Sequence, residues 1–526
     1  MKIKTAFRKI IDRFFLTSLK KKYIECNRKK WMAPISTDTE RVILIDFLHS
    51  YPVIETYSYA SNYIAKKKKA KIKYYFFERD SLDRLFMPNK SLREIYSSFG
   101  ATSGFGWSGD FDIKFRSFFK AIKTFVSLNN KNSLLELKIG IVPVGSLIYD
   151  TFLRKYKKET VDLESLKVLL LIYESYVIYE KTKLFFTKNS VEAVFAGDVA
   201  YIYSGIVARY AILTGKNVYS IVEKPGLLFH RMDESFYRRI PFWKYKEMFS
   251  ELTESQKREG LIKGAEGLNN RFDGKIDENM GYMRNSSFSS EECDQKIFFS
   301  SSSPKIVVML PDFFDSPHIY RFLLFPDFWE WIVYTLELAQ KTSFEWYVKP
   351  HPNALPGNEK IVARLKKMFP KIVFLDPRIS NRCLLKENVA SVFTAYGSVG
   401  HEFPYYGIPV VNAGDNPHIA YSFNFHPSTI DEYKNFVLNA GDLKLDIDRR
   451  EIEEFYYMHY IHFGSKAPLS PVYPPKNFER DLKCKTSKEC RTIYHKDEKT
   501  LAFLLSQRTS TNEAQIYKYF KEVFEN

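Results

Sequence analysis

A histidine between two prolines, at the end of an apolar run, is the first sign of chemistry in this chain. The segment is Lys349-Pro350-His351-Pro352-Asn353, and it follows the β-prone residues 346–348. Proline fixes its own backbone φ angle and restricts the residue before it, so His351 is held in a rigid, extended turn. Such a ring can donate a hydrogen bond to a phosphate oxygen, and Lys349 adds a positive charge nearby. A structural hydrogen bond within a loop is the alternative role of His351.

A second segment combines an apolar strand with a small-residue turn and the start of a helix. The strand covers residues 389–393, and Gly397 and Gly400 then permit a tight turn and the close approach of a ligand. Ser398 could cap the helix or bind phosphate together with the backbone amides behind it. Glu402 could accept hydrogen bonds from a ribose diol, or it could pair with Ser398. Ligands of open α/β sheets bind at the carboxyl ends of strands, so the two segments predict a pocket for a phosphate-bearing ligand, most simply a nucleotide.

Further polar residues follow other predicted strands. His318 could contact a phosphate or a sugar carboxylate, and Asp315 could act there or cap the next helix. A catalytic carboxylate, acting as general base or nucleophile, must reach the reacting hydroxyl group. Its candidates at predicted strand ends in the first half of the chain are Asp198, Glu223, Asp150 and Asp46. Asp198 has the best local setting, because a glycine precedes it and a helix follows, although an N-cap aspartate fits there too. Asp150 could equally be a buried structural carboxylate.

Alternating strand and helix patterns must position these residues. The predicted strands of the first half are residues 41–46, 72–77, 137–144, 191–196 and 217–222. Those of the second half are residues 306–310, 346–348, 372–375, 389–394 and 409–412. The glycine-punctuated residues 103–109 are predicted to form a loop. The predicted fold class is therefore α/β, with two Rossmann-like doubly wound domains that face a cleft.

The length of 526 residues favours two domains over one core. The predicted organisation is a basic amphipathic segment at 1–35, a Rossmann-like domain at 36–250, a linker or insertion at 251–304, a second Rossmann-like domain at 305–470, and a C-terminal extension with a terminal helix at 471–526.

Composition narrows the function classes. A hydrophobic content of 45% excludes a disordered chain, and we find no apolar run of about eighteen residues that would predict a membrane-spanning helix. Residues 1–30 lack the features of a secretory signal peptide. Their basic, amphipathic pattern fits a helix on an acidic membrane surface, or a helix packed on its own domain. The net charge of +17 suits anionic substrates or membranes, and we expect no nucleic-acid partner because no nucleic-acid-binding motif is present.

Neither a metal site nor a cofactor is predicted. Asp110-Phe111-Asp112 and Asp446-Ile447-Asp448 have an Asp-x-Asp spacing, but neither follows a predicted nucleotide-binding strand. The five cysteines are few and scattered, which is typical of a protein in a reducing cytoplasm.

The motifs above resemble those of bacterial capsule and surface-polysaccharide glycosyltransferases of the two-Rossmann (GT-B) type, including capsular transferases that use CMP-activated Kdo. The matching parts are Lys349-Pro350-His351-Pro352 and residues 391–411, 311–318 and 145–150. The resemblance is concentrated in residues 305–430.

This resemblance implies roles for the residues of the second domain. His351 would bind the nucleotide phosphate, Ser398 and the amides around Gly397 would support it, and Glu402 would hold the ribose. The chain has Tyr396-Gly397-Ser398 where the commoner pattern has a Ser-Ser or Ser-Thr pair. Its phosphate contact is therefore expected to depend more on the backbone.

The implied activity is transfer of a sugar from a nucleotide donor to a surface glycan or lipid-linked acceptor, without a metal ion. The preferred donor is a CMP-activated 2-keto acid sugar, such as Kdo or a sialic-acid relative. Alternatives are a UDP- or GDP-sugar transferase, a polyol-phosphate transferase, and a non-catalytic sugar- or nucleotide-binding assembly protein. The expected location is cytoplasmic, with peripheral binding to the anionic inner membrane as an option.

Overall fold

The computed structural model describes most of the chain. The described residues are 16–31, 39–77, 90–223, 227–237, 240–275, 286–288, 296–298, 301–319, 321–463, 493–508 and 512–525. Most of the predicted N-terminal segment and much of the predicted linker lie outside these residues.

The first half of the chain forms a six-stranded sheet in the order β3-β2-β1-β6-β7-β8. Its strands are β1 (Arg41–Asp46), β2 (Lys71–Phe76), β3 (Ala101–Gly106), β6 (Ser190–Ala196), β7 (Asn217–Glu223) and β8 (Leu227–Met232). All neighbours are parallel except β7 and β8. The inner strands are rich in buried Val, Ile and Phe, as expected for a sheet covered by helices on both faces. Strand order reverses between β1 and β6, which marks a ligand-binding switch point.

Helices surround this sheet. They are α1 (Ser18–Trp31), α2 (Tyr51–Lys68), α3 (Lys90–Ser98), α4 (Phe111–Val126), α5 (Lys131–Leu135), α6 (Gly145–Tyr156), α7 (Leu166–Lys188) and α8 (Ile202–Leu213). A separate hairpin of β4 (Lys138–Ile139) and β5 (Val142–Pro143) precedes α6. α9 (Tyr245–Ser250) and α10 (Glu254–Phe272) lead toward the second sheet.

The second sheet is fully parallel, in the order β11-β10-β9-β12-β13. Its strands are β9 (Lys305–Met309), β10 (Glu345–Lys349), β11 (Val373–Phe374), β12 (Val389–Thr394) and β13 (Val410–Asn412). Its helices are α11 (Phe328–Ala339), α12 (Asn358–Met368), α13 (Asn381–Lys386), α14 (Val399–Glu402), α15 (Ile430–Leu438) and α16 (Arg449–Tyr456). Here the switch point lies between β9 and β12, so the loops after those strands face a ligand-binding crevice.

The C-terminal part of the chain returns to the first sheet. Side chains of α17 (Ile493–Gln507) and α18 (Glu513–Glu525) share a core with α1, α2 and β1. Nε of Arg508 donates a hydrogen bond to Glu55 Oε1 of α2 at 2.9 Å. The predicted terminal helix is therefore present, and it packs on the domain that is distant in sequence.

The helix α1 favours the packed alternative for the part of the N-terminal segment that is described. Tyr23, Ile24 and Trp31 are buried in the core that α1 shares with α2 and α3, and its basic residues lie mainly on the outer face. None of the helices among the described residues combines the length and the apolar character needed to cross a membrane.

Several local expectations were wrong. Residues 101–106, assigned mostly to a loop, form the edge strand β3, because the chain pairs with β2 despite its glycines. Residues 137–144 form the small hairpin instead of a strand of the main sheet. Asp150 consequently lies within helix α6 and not at a strand end.

The two sheets belong to units that contact each other through buried polar groups. The hydroxyl groups of Tyr149 and Thr160 both donate to Asp327, which caps α11 at the other side of the contact. The hydroxyl groups of Ser316 and Tyr201 are 3.1 Å apart. These bonds fix the loop after β9 against α6 and the residues that follow β6.

Candidate functional site

Lys349 is a buried cation that has no counter-ion in hydrogen-bond contact within the described part of the chain. It is the last residue of β10, and only 3% of its surface is exposed. Within the described ranges its ammonium group makes no hydrogen bond or ion pair, although Glu402 and Asp376 exert a weaker electrostatic influence. Burial lowers the pKa of Lys349 from 10.5 to about 8. An ammonium group buried in this way is normally paired, so its position at the carboxyl edge of a parallel sheet favours an anionic ligand.

The ring of His351 is held in one orientation beside Lys349. Its Nδ1 accepts a hydrogen bond from the backbone N–H of Asn353 at 3.1 Å, which places the ring hydrogen on Nε2. Burial lowers the pKa of His351, so the ring is neutral at physiological pH. His351 can therefore act as a hydrogen-bond donor through Nε2.

Asp312 connects the loop of His351 to the loop after β9. Its Oδ2 accepts from the backbone N–H of Leu355 at 2.7 Å, and its Oδ1 accepts from Nδ2 of Asn358 at 3.0 Å. Asn358 Oδ1 in turn accepts from the backbone N–H of Phe313 at 2.9 Å. The two loops therefore form one unit at the switch-point edge.

Glu402 and Ser398 are engaged with a residue that the sequence analysis missed. Nε of Arg271 donates to Glu402 Oε1 at 2.6 Å, and its Nη2 donates to Ser398 Oγ at 2.8 Å. Ser398 Oγ also donates to Glu402 at 2.8 Å, and Asn381 Nδ2 donates to Oε2 of the same carboxylate at 3.1 Å. Glu402 is fully buried, so its carboxylate is occupied by internal partners. Its proposed contact with a ribose would require these bonds to open.

The Arg271–Glu402 pair leaves the charge of Lys349 unbalanced. Burial alone would lower the pKa of Arg271, but the carboxylate of Glu402 outweighs that effect and raises it. The guanidinium group of Arg271 and the carboxylate of Glu402 therefore form a buried ion pair. Glu402 cannot fully serve as the counter-ion of Lys349 at the same time.

We expect Arg271→Met to destabilise the protein by about 3–5 kcal/mol, because it leaves the carboxylate of Glu402 buried and unpaired. Chemical denaturation followed by circular dichroism would measure the change. Arg258→Met is the matched control, since Arg258 lies exposed on the same helix. The double variant Arg271→Met/Glu402→Gln should recover part of the loss. A loss as small as that of the control would contradict the importance of the pair.

The two glycines of the turn are required by packing inside the protein. A Cβ atom on Gly400 would lie 2.6 Å from the ring of His418, and one on Gly397 would lie 2.7 Å from Thr394 Oγ1. Ser398 makes no side-chain cap, and α14 is a single turn. The dipole of such a short helix is small, so the expected anion site at its N-terminus receives little support. Phosphate binding by the amides around Gly397 stays a prediction.

Asp150 and His318, predicted separately, form a hydrogen-bonded pair between the two units. Nδ1 of His318 lies 2.6 Å from Asp150 Oδ1, and the backbone N–H of His318 donates to Oδ2 at 3.3 Å. A carboxylate at this distance fixes the ring hydrogen on Nδ1. Nε2 of His318 is buried and has no hydrogen-bond partner in the described part of the chain. Its lone pair is therefore available to accept a proton.

The pair lines a pocket to which both units contribute. Ser146, Val199 and Arg209 of the first unit line it together with His318 and Ile319 of the second. Arg209 donates to the carbonyl of Pro143 at 2.6 Å and to Ser146 Oγ at 3.1 Å. Burial raises the pKa of Asp150, and the adjacent His318 opposes that rise. The pocket thus contains an acceptor for a proton and a fixed positive charge.

The other predicted residues are placed at the edges of this region. Asp198 follows β6 and is half-buried, and Tyr201, not Asp198, is the residue before α8. Glu223 ends β7. Asp315 is exposed in the turn before His318.

Asp46 accepts hydrogen bonds from the backbone N–H of Gly197, at 3.1 Å, and from the hydroxyl of Ser204. It therefore joins β1 to the loop after β6, a structural role.

The Asp-x-Asp segments have other partners. Asp110 pairs with Lys181 at 3.0 Å, Asp112 pairs with Arg116, and Asp448 caps α16. Among the described residues, no group of three or more His, Cys, Asp or Glu side chains is placed to hold a metal ion.

Sequence reasoning missed Arg271, Asn381 and Arg209. Arg271 lies in the stretch that was assigned to a linker or insertion, yet that stretch begins with a helix. Thr253 and Gln256 form a capping box at its N-terminus, a sequence signal that could have identified α10.

Comparison with known proteins gives a distant likeness in architecture. No protein-family model matches the chain, and no curated protein matches it. A Thermosulfurimonas dismutans structure, KpsC, a beta Kdo 2,4 transferase, is 14% identical with a TM-score of 0.32, covering 52% of this chain and 81% of its own. A Neisseria meningitidis UDP-GlcNAc 2-epimerase bound to UDP-GlcNAc is 11% identical with a TM-score of 0.22, covering 79% of this chain and 97% of its own. Arabidopsis thaliana UGT89C1, complexed with UDP-L-rhamnose, is 11% identical with a TM-score of 0.20, covering 93% and 99%.

These TM-scores are too low to carry an argument about activity. The fold assignment follows from the two sheets themselves, whose strand orders reverse at β1/β6 and β9/β12. The protein therefore has the predicted α/β fold, with two Rossmann-like doubly wound units that share a pocket, as in a GT-B-like architecture.

Proposed function

We propose that the protein is a glycosyltransferase that moves a sugar from a nucleotide donor to a surface glycan or a lipid-linked acceptor. The observation that carries the proposal is Lys349, which is buried, forms no ion pair among the described residues, and lies beside the neutral hydrogen-bond donor His351. A phosphate group would satisfy both side chains at once. Their place at the carboxyl edge of a doubly wound sheet is where nucleotides bind in such folds.

The donor that we favour is a CMP-activated 2-keto acid sugar, such as Kdo or a sialic-acid relative. This choice extends the sequence resemblance, and the high positive charge of the chain is consistent with a donor that carries a phosphate and a carboxylate. UDP- and GDP-sugars offer the same phosphate chemistry to Lys349 and His351. Nucleotide selectivity therefore has to be measured.

The pocket between the units would activate the acceptor. In the proposed reaction the acceptor hydroxyl oxygen bonds to the anomeric carbon, and its proton passes to Nε2 of His318. The bond between that carbon and the donor phosphate breaks, and the nucleotide leaves with its electrons. Asp150 holds the His318 ring and stabilises the imidazolium that forms. Lys349 and His351 stabilise the charge on the departing phosphate. We expect no metal requirement.

Nucleotide titration tests the donor site directly. We expect CMP, among CMP, UDP, GDP and CDP, to raise the thermal unfolding temperature and to bind in calorimetry. His351→Ala should weaken this binding by about tenfold or more, since a hydrogen bond to a charged group is lost. His230→Ala is the matched control, because His230 is a half-buried histidine of the first sheet, whose pKa is lowered to about 4 by burial.

The outcomes separate the alternatives. Preference for UDP or GDP would retain the transferase and replace the donor class. Binding without turnover of any nucleotide sugar would favour a non-catalytic assembly protein. An absence of binding by all four nucleotides would refute the donor site at Lys349 and His351.

A further inference from the structure

Helix α4 exposes aromatic side chains on one face. Phe111, Phe115, Phe118 and Phe119 are 81%, 56%, 47% and 55% exposed. The opposite face of the helix packs on α7, where the hydroxyl of Thr124 lies 2.9 Å from that of Tyr176. The helix is therefore anchored by a buried side and presents a second apolar side that the described residues leave uncovered.

The four phenylalanines form one continuous surface, which we call the phenylalanine face. Ring centroids are 6.4 Å apart for Phe111 and Phe115, 5.0 Å for Phe115 and Phe119, and 5.7 Å for Phe118 and Phe119. Single exposed apolar residues are ordinary on protein surfaces, whereas contiguous apolar patches indicate an interaction site.

Basic residues flank this face. At about 100° per residue around the helix axis, Lys114 lies on one side of the phenylalanines, and Arg116, Lys120 and Lys123 lie on the other. Asp112 is the one acidic residue of α4, and its partner is Arg116. Lys120 pairs with Glu180 of α7. Lys114 and Lys123 make no ion pair in the described part of the chain, so the margin of the face carries net positive charge.

The phenylalanine face begins at the carboxyl edge of the first sheet. α4 follows β3, and its first turn therefore begins at the carboxyl edge of the sheet. Val199 and Ala200, which line the His318 pocket, follow β6 at the same edge. The start of the phenylalanine face therefore lies at the same sheet edge as these pocket residues.

We propose that the phenylalanine face of α4 docks the protein on an anionic lipid bilayer. The rings would enter the boundary between headgroups and acyl chains, and the flanking Lys and Arg side chains would contact the headgroups. A bilayer fits because an exposed apolar face with a positive margin on both flanks complements a planar anionic surface. The inference is independent of the donor chemistry, and a lipid-linked acceptor would then reach the pocket from the membrane.

Vesicle co-sedimentation of the full chain tests the proposal. We expect binding to phosphatidylcholine vesicles that contain about 30 mol% phosphatidylglycerol, and weak binding to phosphatidylcholine alone. Phe115→Ser/Phe119→Ser should reduce the affinity for the anionic vesicles by at least about tenfold, because two exposed rings that would enter the bilayer are lost. Ile262→Ser is the matched control, since Ile262 of α10 is 55% exposed and lies outside the face.

A charge variant provides the second measurement. Lys114→Gln/Lys123→Gln should weaken binding at low salt and remove much of its salt dependence. Circular dichroism would establish that both double variants are folded. Unchanged vesicle binding by Phe115→Ser/Phe119→Ser would overturn the proposal and move the role to another segment, such as the basic N-terminus. Self-association of the protein that this variant abolishes, without vesicle binding by the wild type, would also overturn it. Neither result bears on nucleotide binding.

Discussion

Lys349→Met is expected to make the protein more stable while it abolishes nucleotide binding. The folded state holds the pKa of Lys349 at about 8, against 10.5 for an unperturbed lysine. At neutral pH the folded state therefore carries an ammonium group that burial disfavours, at a cost of about 3 kcal/mol. Methionine has a similar length and no charge, so it removes this cost.

The stabilisation by Lys349→Met is expected to depend on pH in a characteristic way. The pKa of Lys349 is lower in the folded state than in the unfolded state, so the unfolded state binds more protons between the two values. The wild type should consequently gain stability as pH rises from about 8 to 10.5, and the advantage of Lys349→Met should be largest below about 8 and shrink above it. Thermal unfolding across that range would measure the difference, with an expected shift of about 3 °C at pH 7 for a chain of 526 residues.

Lys305→Met is the matched control for this experiment. Lys305 is also a buried lysine, in the neighbouring strand β9, but its ammonium group donates to the carbonyls of Ser301 and Ser303 at 2.9 and 3.0 Å. Its replacement removes satisfied hydrogen bonds and should not stabilise the protein. Adding the preferred nucleotide should stabilise the wild type and Lys305→Met, and leave Lys349→Met unaffected. Destabilisation by Lys349→Met would show that the ammonium group has an internal role instead of a ligand.

The secondary structure of both sheets was largely predictable, because it follows from local patterns. Buried β-branched runs such as residues 41–46 and 389–394 have the composition of covered parallel strands, and amphipathic stretches separate them. Edge elements were less predictable. β3 contains Gly104 and Gly106 and pairs on one side only, so its local sequence resembles a loop.

Sequence analysis could find the part of the candidate site that residues close together in sequence define. Lys349 and His351 lie at the same strand end, and the prolines around His351 predict a rigid turn. The roles of Glu402 and Ser398 could not be predicted, because their partner Arg271 lies 131 residues before Glu402. From the local sequence alone, Glu402 is a carboxylate one turn into a helix, and it is therefore assigned to a ligand. The fold instead brings α10 against the turn and uses that carboxylate internally.

The same limit applies to the pair of Asp150 and His318, which are 168 residues apart. Each was a candidate from its own neighbourhood, Asp150 as a catalytic carboxylate and His318 as a donor-binding residue. The local sequence around Asp150 and around His318 carries no information on the distance between the two side chains. Only the contact between α6 and the loop after β9 shows that the carboxylate of Asp150 holds the ring of His318.

His318→Ala is expected to lower kcat by about 10²–10⁴-fold, because the acceptor hydroxyl would lose its general base. The substrate would be the nucleotide sugar selected by titration, and donor affinity should stay close to that of the wild type. Asp198→Asn is the informative comparison, since Asp198 was the first choice among the catalytic carboxylates. A larger loss in Asp198→Asn than in His318→Ala would transfer the role of base to Asp198.

The variant Asp150→Asn tests whether Asp150 acts in catalysis only by positioning His318 or also contributes independently of His318. Asparagine leaves the packing of α6 nearly unchanged but removes the charge that stabilises the imidazolium, so kcat should fall while donor binding persists. If Asp150 acts only through His318, the double variant Asp150→Asn/His318→Ala should be no slower than His318→Ala alone, because residues that act as a unit are not additive. Multiplication of the two single effects would mean that Asp150 contributes to catalysis without His318. The double variant therefore decides whether the buried contact between the two units is the catalytic pair.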